Sequence, residues 1–169
     1  VSNGANMFST CVVKLANVCI CWRDYVEPSF LMDDLVYFYC TVVRPILEYA
    51  CCVWHSSLTR QQSDCIEQIQ KRALGIIFGF SLSYSDKLAI AQLELLSDRR
   101  EELCRRLFTD IVSDSDHCLH QLLPRKRIAT CTSVVTRSQD TVTFALPRFR
   151  TSRFKKSFVM YCLDSFIWP

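Results

Sequence analysis

The chain has 169 residues, half of them hydrophobic, which is enough apolar surface for one buried core or two small ones. Three glycines and five prolines argue against an all-β protein with many tight turns. The net charge of +3 hides an asymmetry: residues 1–123 carry eleven Lys/Arg against fifteen Asp/Glu, and residues 124–169 carry nine against two. A body of net −4 precedes a tail of net +7, which places a polyanionic partner near the C-terminus.

In chain order, "NMFSTCVVKLANVCICW" (6–22) reads as a buried helix, apolar on most faces. The following "RDYVEPSF" breaks it at Pro28. There is no basic n-region of a secretory signal and no initial Met, so the chain is expected to begin inside a longer reading frame. Asp33 and Asp34 then open "LVYFYCTVVRPILEYACCVW", either a long buried helix kinked at Pro45 or two helices meeting there. Its uncharged run Leu35–Val43 is too short to cross a bilayer, so no membrane partner is expected.

The clearest helix is "TRQQSDCIEQIQKRALGIIFGF", with Thr59 and Gln62 as a capping box and Ile66, Ile69, Ala73, Ile76 and Ile77 at helical spacing. Gly79 is placed to stop it. "YSDKLAIAQLELL" reads as a short helix capped by Ser85. "SDRREELCRRLFTDIV" follows with Ser97 as N-cap and Leu103, Leu107 and Ile111 on one face. After Pro124 the pattern changes to two β-branched stretches, "TCTSVVT" and "TVTFAL", then a basic-aromatic block and a short helix through "SFVMYCLDSF". The fold class is therefore mostly α: a segment 1–32, a helical body 33–123, and a basic, partly extended tail 124–169.

Eleven cysteines lie mostly in apolar segments, where cysteine behaves as a small hydrophobe. Cys118 and His120 are close, but nothing nearby completes four ligands, so no metal site is assigned. Reduced core thiols and an intracellular location, cytoplasmic or nuclear, are the expectation.

"FLMDDLVYFY" (30–39) is similar to the metal-binding loop of reverse transcriptases, where an Asp pair at a hairpin tip holds divalent ions. Two-metal phosphoryl transfer needs carboxylates converging from separate elements. The acidic residues before Asp33 are Asp24 and Glu27, neither in a strand-like stretch. The unbroken apolar run after the pair suits a helix with both carboxylates in its first turn. No catalytic residue is assigned.

From Asp34 onward the chain nonetheless resembles the region downstream of the palm in LINE-type retrotransposon reverse transcriptases of the jockey-like branch. The residues that carry this are "RPILEYA", "VWHSSLT" and "IEQIQKRAL" in order, then "YSDKLAIAQLELLSDRREELCRRLF", "HCLHQLLP" and "FRTSRFKKSFVMYCLDSF". The resemblance spans 34–166, with residues 1–32 matching poorly. It implies a thumb-like fragment of an RNA-directed DNA polymerase, with palm and fingers as its missing partner domains. Magnesium would belong to the palm, so no cofactor is expected in this chain and no activity by it alone. The alternative is a decayed or repurposed helical protein-interaction module without nucleic-acid function.

The candidate contacts to RNA or an RNA–DNA hybrid are Arg125, Lys126, Arg127, Arg148, Arg150, Arg153, Phe154, Lys155, Lys156 and Phe158. Cations for phosphates interleaved with aromatic faces for bases are what single-strand binding uses. Lys71 and Arg72 are a secondary candidate beside an apolar stripe. Arg44 and Glu48 are spaced to pair, as are Arg99 with Glu102 and Glu101 with Arg105, so that the Arg-rich helix mostly neutralises itself. Trp54 is expected to anchor a core, and His55 has no nucleophile partner in sequence. A fragment parted from its palm is expected to expose apolar surface and self-associate.

Overall fold

The structure, a computed structural model, describes residues 31–126, 144–145, 147–148 and 150–166. Among them the chain is mostly helical: α1 (Met32–Phe38), α2 (Arg44–Glu48), α3 (Cys51–Trp54), α4 (Arg60–Phe78), α5 (Tyr84–Ala91), α6 (Leu96–Ser113), α7 (Ser152–Lys155) and α8 (Phe158–Ser165). The helix expected over 6–22, the stretch "TCTSVVT" and Arg127 lie outside the described residues. The chain divides into two compact units, Val1–Tyr49 with Leu58–Arg100, and Ala50–Ser57 with Glu101–Pro169.

In the first unit Asp33 and Asp34 occupy the first turn of α1, on a helix rather than a hairpin tip. Leu31 is the N-cap and supplies no side-chain cap, so the acidic pair acts only through the positive end of the helix. The helical run passes through Pro45 rather than ending there. A π-turn, Tyr39–Val43, joins α1 to α2, closed by the Arg44 amide donating to the Tyr39 carbonyl. Pro45 lacks an amide and its ring crowds the carbonyl four residues back, so the helix widens just before it. Thr41 Oγ1, donating to the Tyr37 carbonyl at 2.9 Å, favours the same loosening.

The wide turn keeps a stripe in register. Leu35, Tyr39, Val43 and Leu47 are buried at steps of four. On a pure α-helix each such step drifts by about 40°. The π-turn rotates each residue less and offsets part of the drift. The stretch is thus buried along one edge only, not all round: Tyr37, Val42, Ile46 and Tyr49 are exposed. The helical run Met32–Ser57 contains an 18-residue window of mean hydropathy 1.3, which by length and composition alone is enough to cross a membrane. Arg44, Glu48 and the left-handed Ala50 (φ 50°) lie within it.

The second unit is built on a core of Cys104, Phe108, Met160, Cys162, Leu163 and Phe166, with Cys52, Val112, Leu123, Phe144, Phe158 and Tyr161 packed at its edge. These side chains come from α3, α6 and α8 and from the segments around Leu123 and Phe144. Trp54 is only half-buried, and Cys51 is the residue of α3 that is buried.

The first unit is organised by α4. Its capping box is present as the sequence predicts, with the Thr59 amide donating to Gln62 Oε1 at 2.9 Å and the Gln62 amide to Thr59 Oγ1 at 3.3 Å. Gly79 ends the helix at φ 77°, a value that glycine adopts without penalty. The next cap differs from expectation: Ser83, not Ser85, accepts the Asp86 amide and opens α5. Likewise α6 starts at Leu96, one residue before Ser97, because Glu67 Oε2 accepts the Leu96 amide at 3.1 Å and takes over the capping.

Gln70, only 1 % exposed, holds the elements of this unit together. Tyr39 Oη donates to its Oε1 at 2.6 Å. Its Nε2 donates to Tyr84 Oη at 3.0 Å and to the Glu94 carbonyl at 2.9 Å. Tyr84 in turn donates to Glu67 Oε1. Burial first of all holds both phenols in their neutral, donating form. Replacing Gln70 by Leu removes three hydrogen bonds and leaves the buried Tyr39 hydroxyl without its acceptor, at about 1–3 kcal/mol for the unsatisfied group, while Tyr84 keeps its bond to Glu67. We expect Gln70→Leu to lower stability in urea unfolding by roughly 2–4 kcal/mol and Tyr39→Phe by about 1 kcal/mol. A Gln70→Leu protein as stable as the parent would show that the network contributes nothing.

Candidate nucleic-acid interface

The basic tail belongs to the second unit and is held to it by backbone and side-chain hydrogen bonds. Lys126 and Phe144 form an isolated antiparallel bridge, and the Ala145 amide donates to the Arg125 carbonyl at 2.9 Å. Of the expected extended stretch "TVTFAL", Phe144 and Ala145 are described, and they pair in this way. Further on, Thr151 Oγ1 accepts the Phe154 amide at 3.2 Å and opens α7. Ser157 Oγ donates to the Phe154 carbonyl at 2.8 Å at the corner into α8. Ser56 Oγ donates to the Lys156 carbonyl at 2.6 Å and ties that corner to the segment after α3.

Arg125, Lys126, Arg148, Arg150, Arg153, Lys155 and Lys156 are all exposed. Phe154 keeps 43 % of its surface exposed between Arg153 and Lys155. Phe158 is different: it is half-buried against the core of the unit, which takes its ring away from the solvent face. Lys155 Nζ lies 3.7 Å from Asp164 Oδ2, so its charge is partly met inside the tail. Lys71 and Arg72 are exposed on α4 in the first unit, with Lys71 Nζ 6.0 Å from the centre of the Tyr84 ring.

The arginines of α6 have other work. Arg100 is fully buried and donates to Ser63 Oγ at 2.9 Å. Arg99 pairs with Glu48 at 2.5 Å rather than with Glu102, and Glu48 also faces Arg44 at 3.9 Å. A carboxylate only 12 % exposed attracts the nearer guanidinium more strongly than a solvated neighbour on the same helix. Arg106 takes Glu102 at 2.9 Å, Arg105 lies 3.8 Å from Glu101, and the Arg105 guanidinium also covers the Phe166 ring at 5.1 Å. The buried stripe of α6 is Leu96, Arg100, Cys104, Phe108 and Ile111, while Leu103 and Leu107 are only half-buried.

The polar groups that sequence reasoning passed over are Glu67, Gln70, Tyr84 and Arg100. On a helical wheel Gln70 and Arg100 fall among the apolar residues of their helices, and that was the available signal. His120 Nδ1 lies 2.7 Å from the Ile111 carbonyl, and His55 Nε2 lies 3.4 Å from Tyr161 Oη with the rings edge to face. Among the described residues no group of three His, Cys, Asp or Glu is placed to hold a metal ion. Searches of protein-family models, of curated proteins and of solved structures find no match.

The thiols separate by burial. Cys104 and Cys162 are buried, while Cys65 and Cys118 are exposed. Burial, then the neighbouring Cys52, raises both buried thiols, and Cys162 is pushed up to about 12 from an ordinary 9.0. That gap leaves about a thousandth of the usual thiolate on Cys162 at pH 8. Because the folded value lies above the unfolded one, this group costs nothing at neutral pH and destabilises the fold as pH rises from 9 toward 12. Iodoacetamide on the native protein at pH 8 should therefore modify Cys65 and Cys118 and spare Cys104 and Cys162 at least 100-fold, as read by peptide mass spectrometry. Equal labelling of all four would mean that the second core is open.

Proposed function

We propose that this chain is a thumb-like, post-palm piece of a LINE-type reverse transcriptase and that it grips single-stranded RNA, or the RNA–DNA hybrid, with its basic tail. The observation that carries the reading is the exposure of Arg148, Arg150, Arg153, Lys155 and Lys156 around the outward Phe154. Exposed cations can neutralise phosphates and release their counterions, and an exposed ring can stack an unpaired base. Asp33 and Asp34 sit in the first turn of a helix, which supports a role outside the chemistry of nucleotide addition. On this reading the chain is not an enzyme by itself, takes no metal, and depends on a palm elsewhere for polymerisation. Its partners are nucleic acid and that palm, inside the cell and away from membranes. The competing reading is a helical protein-interaction module without nucleic-acid function.

Titration of a single-stranded RNA at several salt concentrations tests it. Each phosphate contact on a single strand contributes about 0.7 to the slope of log K against log salt. Replacing Arg150, Arg153, Lys155 and Lys156 by Ala should weaken binding and flatten that slope by about two, since Lys155 is partly engaged by Asp164. Phe154→Ala should weaken binding with the slope unchanged, because stacking releases no counterions. Arg105→Ala with Arg106→Ala should change little, since both already face glutamates. Loss of binding in that α6 variant but not in the tail variant would move the contact off the tail, and no salt-dependent binding at all would favour the protein-interaction reading.

The chain should also extend no primer on an RNA template with magnesium or manganese. Extension that vanishes in Asp33→Asn or Asp34→Asn would overturn the assignment of the acidic pair to a helix start.

A further inference from the structure

The second unit is made of two stretches of chain, Ala50–Ser57 and Glu101–Pro169, with residues 58–100 of the first unit between them in sequence. Its α3 has four residues, too few to form a helix unaided. Noncovalent contacts hold it: Ser56 Oγ on the Lys156 carbonyl, the His55 ring edge to face with Tyr161, and Cys52 packed against the core of α6 and α8. The seam between this short element and the rest of its unit is also where thiols meet. Cys104 and Cys162 belong to the core that Cys52 packs against, and Cys52 is the side-chain hydrogen-bond partner of the Cys104 thiol.

The thiols at the seam differ in access. Cys51, Cys104 and Cys162 are buried, while Cys52 keeps part of its surface in solvent. A small oxidant therefore meets Cys52 first. Burial holds the Cys104 thiol protonated and out of reach, so Cys104 suits the second step and not the first. Cys51 is the wrong partner for its neighbour: adjacent Cα atoms are about 3.8 Å apart, below the roughly 4.4–6.8 Å that a relaxed disulfide spans. Cys162 interacts with Cys52 through charge, whereas Cys104 is hydrogen-bonded to it as well.

We propose that Cys52 is a peroxide-reactive thiol and that Cys104 resolves it, forming a Cys52–Cys104 disulfide that staples α3 to α6. The Cys52 thiolate attacks one oxygen of hydrogen peroxide, and the O–O bond breaks. The leaving hydroxide takes up the proton that Cys52 released and departs as water, which leaves a sulfenic acid on Cys52. Cys104 Sγ then attacks Cys52 Sγ, the S–O bond breaks, and the second hydroxide leaves as water with the Cys104 proton. In sum the two thiols give up two hydrogens and the peroxide is reduced to two waters. The new bond closes a loop that contains residues 58–100 and joins the two stretches of the second unit covalently. It also keeps Ser56 seated under the tail corner at Lys156. The proposal concerns the second core and does not depend on nucleic-acid binding by the tail.

Treatment of the full chain with hydrogen peroxide, followed by non-reducing peptide mapping, tests it. The expected product is an intrachain Cys52–Cys104 disulfide that dithiothreitol reverses, with fragmentation between Cys51 and Cys52 assigning the sulfur. The oxidised chain should unfold in urea at a midpoint about 1 M above the reduced chain. Cys104→Ser should strand the sulfenic acid on Cys52 and raise its capture by dimedone about tenfold over the parent. Cys162→Ser should form the disulfide as the parent does. The mapping on the parent requires no variant to fold. A Cys52 that stays reduced, that stops at the sulfenic acid, or that bonds to Cys51, Cys162 or a second chain would overturn the proposal. So would a Cys52–Cys104 bond that leaves the urea midpoint unchanged.

Discussion

A buried amide cannot be left half-paired, and that constraint organises the first unit around Gln70. Its carbonyl takes the Tyr39 hydroxyl, and its amide hydrogens go to Tyr84 and to the Glu94 carbonyl. Glu67, one turn earlier on α4, closes the chain by accepting from Tyr84 and from the first amide of α6. The π-turn after α1, α5 and the start of α6 are thus fixed to one side of α4 by directional bonds in a low-dielectric setting, where a missed bond costs more than in water. Apolar packing fixes which face of α4 is buried, through Ile66, Ile69, Ala73, Leu74 and Ile77, but it tolerates small rotations and slides of the helix. The amide network does not, since rotation would strand all its members together.

Charge is distributed by the same logic of pairing. On α2 and α6, arginines meet carboxylates within 4 Å: Glu48 serves both Arg44 and Arg99, and Glu101 and Glu102 serve Arg105 and Arg106. In the tail the described ion pair is Lys155 with Asp164, set beside four further exposed cations, Arg148, Arg150, Arg153 and Lys156. The positive field is therefore concentrated in the second unit, next to a ring that faces outward. This contrast between matched and unmatched charge, more than the total of +3, is what suits the tail to a polyanion.

Features set by neighbours in sequence were legible, and features set by distant partners were not. The capping box at Thr59 and the stop at Gly79 depend on residues within one turn, and both are present. Ser85 and Ser97 have the right chemistry for caps, but Ser83 lies one turn-position better for α5, and Glu67 from another helix caps α6. The solvated look of Arg99 and Arg100 dissolves once Glu48 and Ser63 arrive from far along the chain. In the tail, the cations could be read from charge alone. That Phe154 faces solvent while Phe158 joins the core could not, because the two rings differ only in the side of a corner they occupy.

The π-turn at Tyr39–Val43 has a consequence for how this chain can be compared with others. A widened turn holds one residue more than an α-helical turn, the geometry by which a helix can take up one extra residue without breaking. A related protein whose helix runs straight through this point would be one residue shorter here. Aligned without a gap, every position from Arg44 to Glu48 would be matched to a residue rotated by about 100°. Buried Leu47 would then be equated with a surface position, and the kinship of the two helices would be hidden by a frame error confined to one turn.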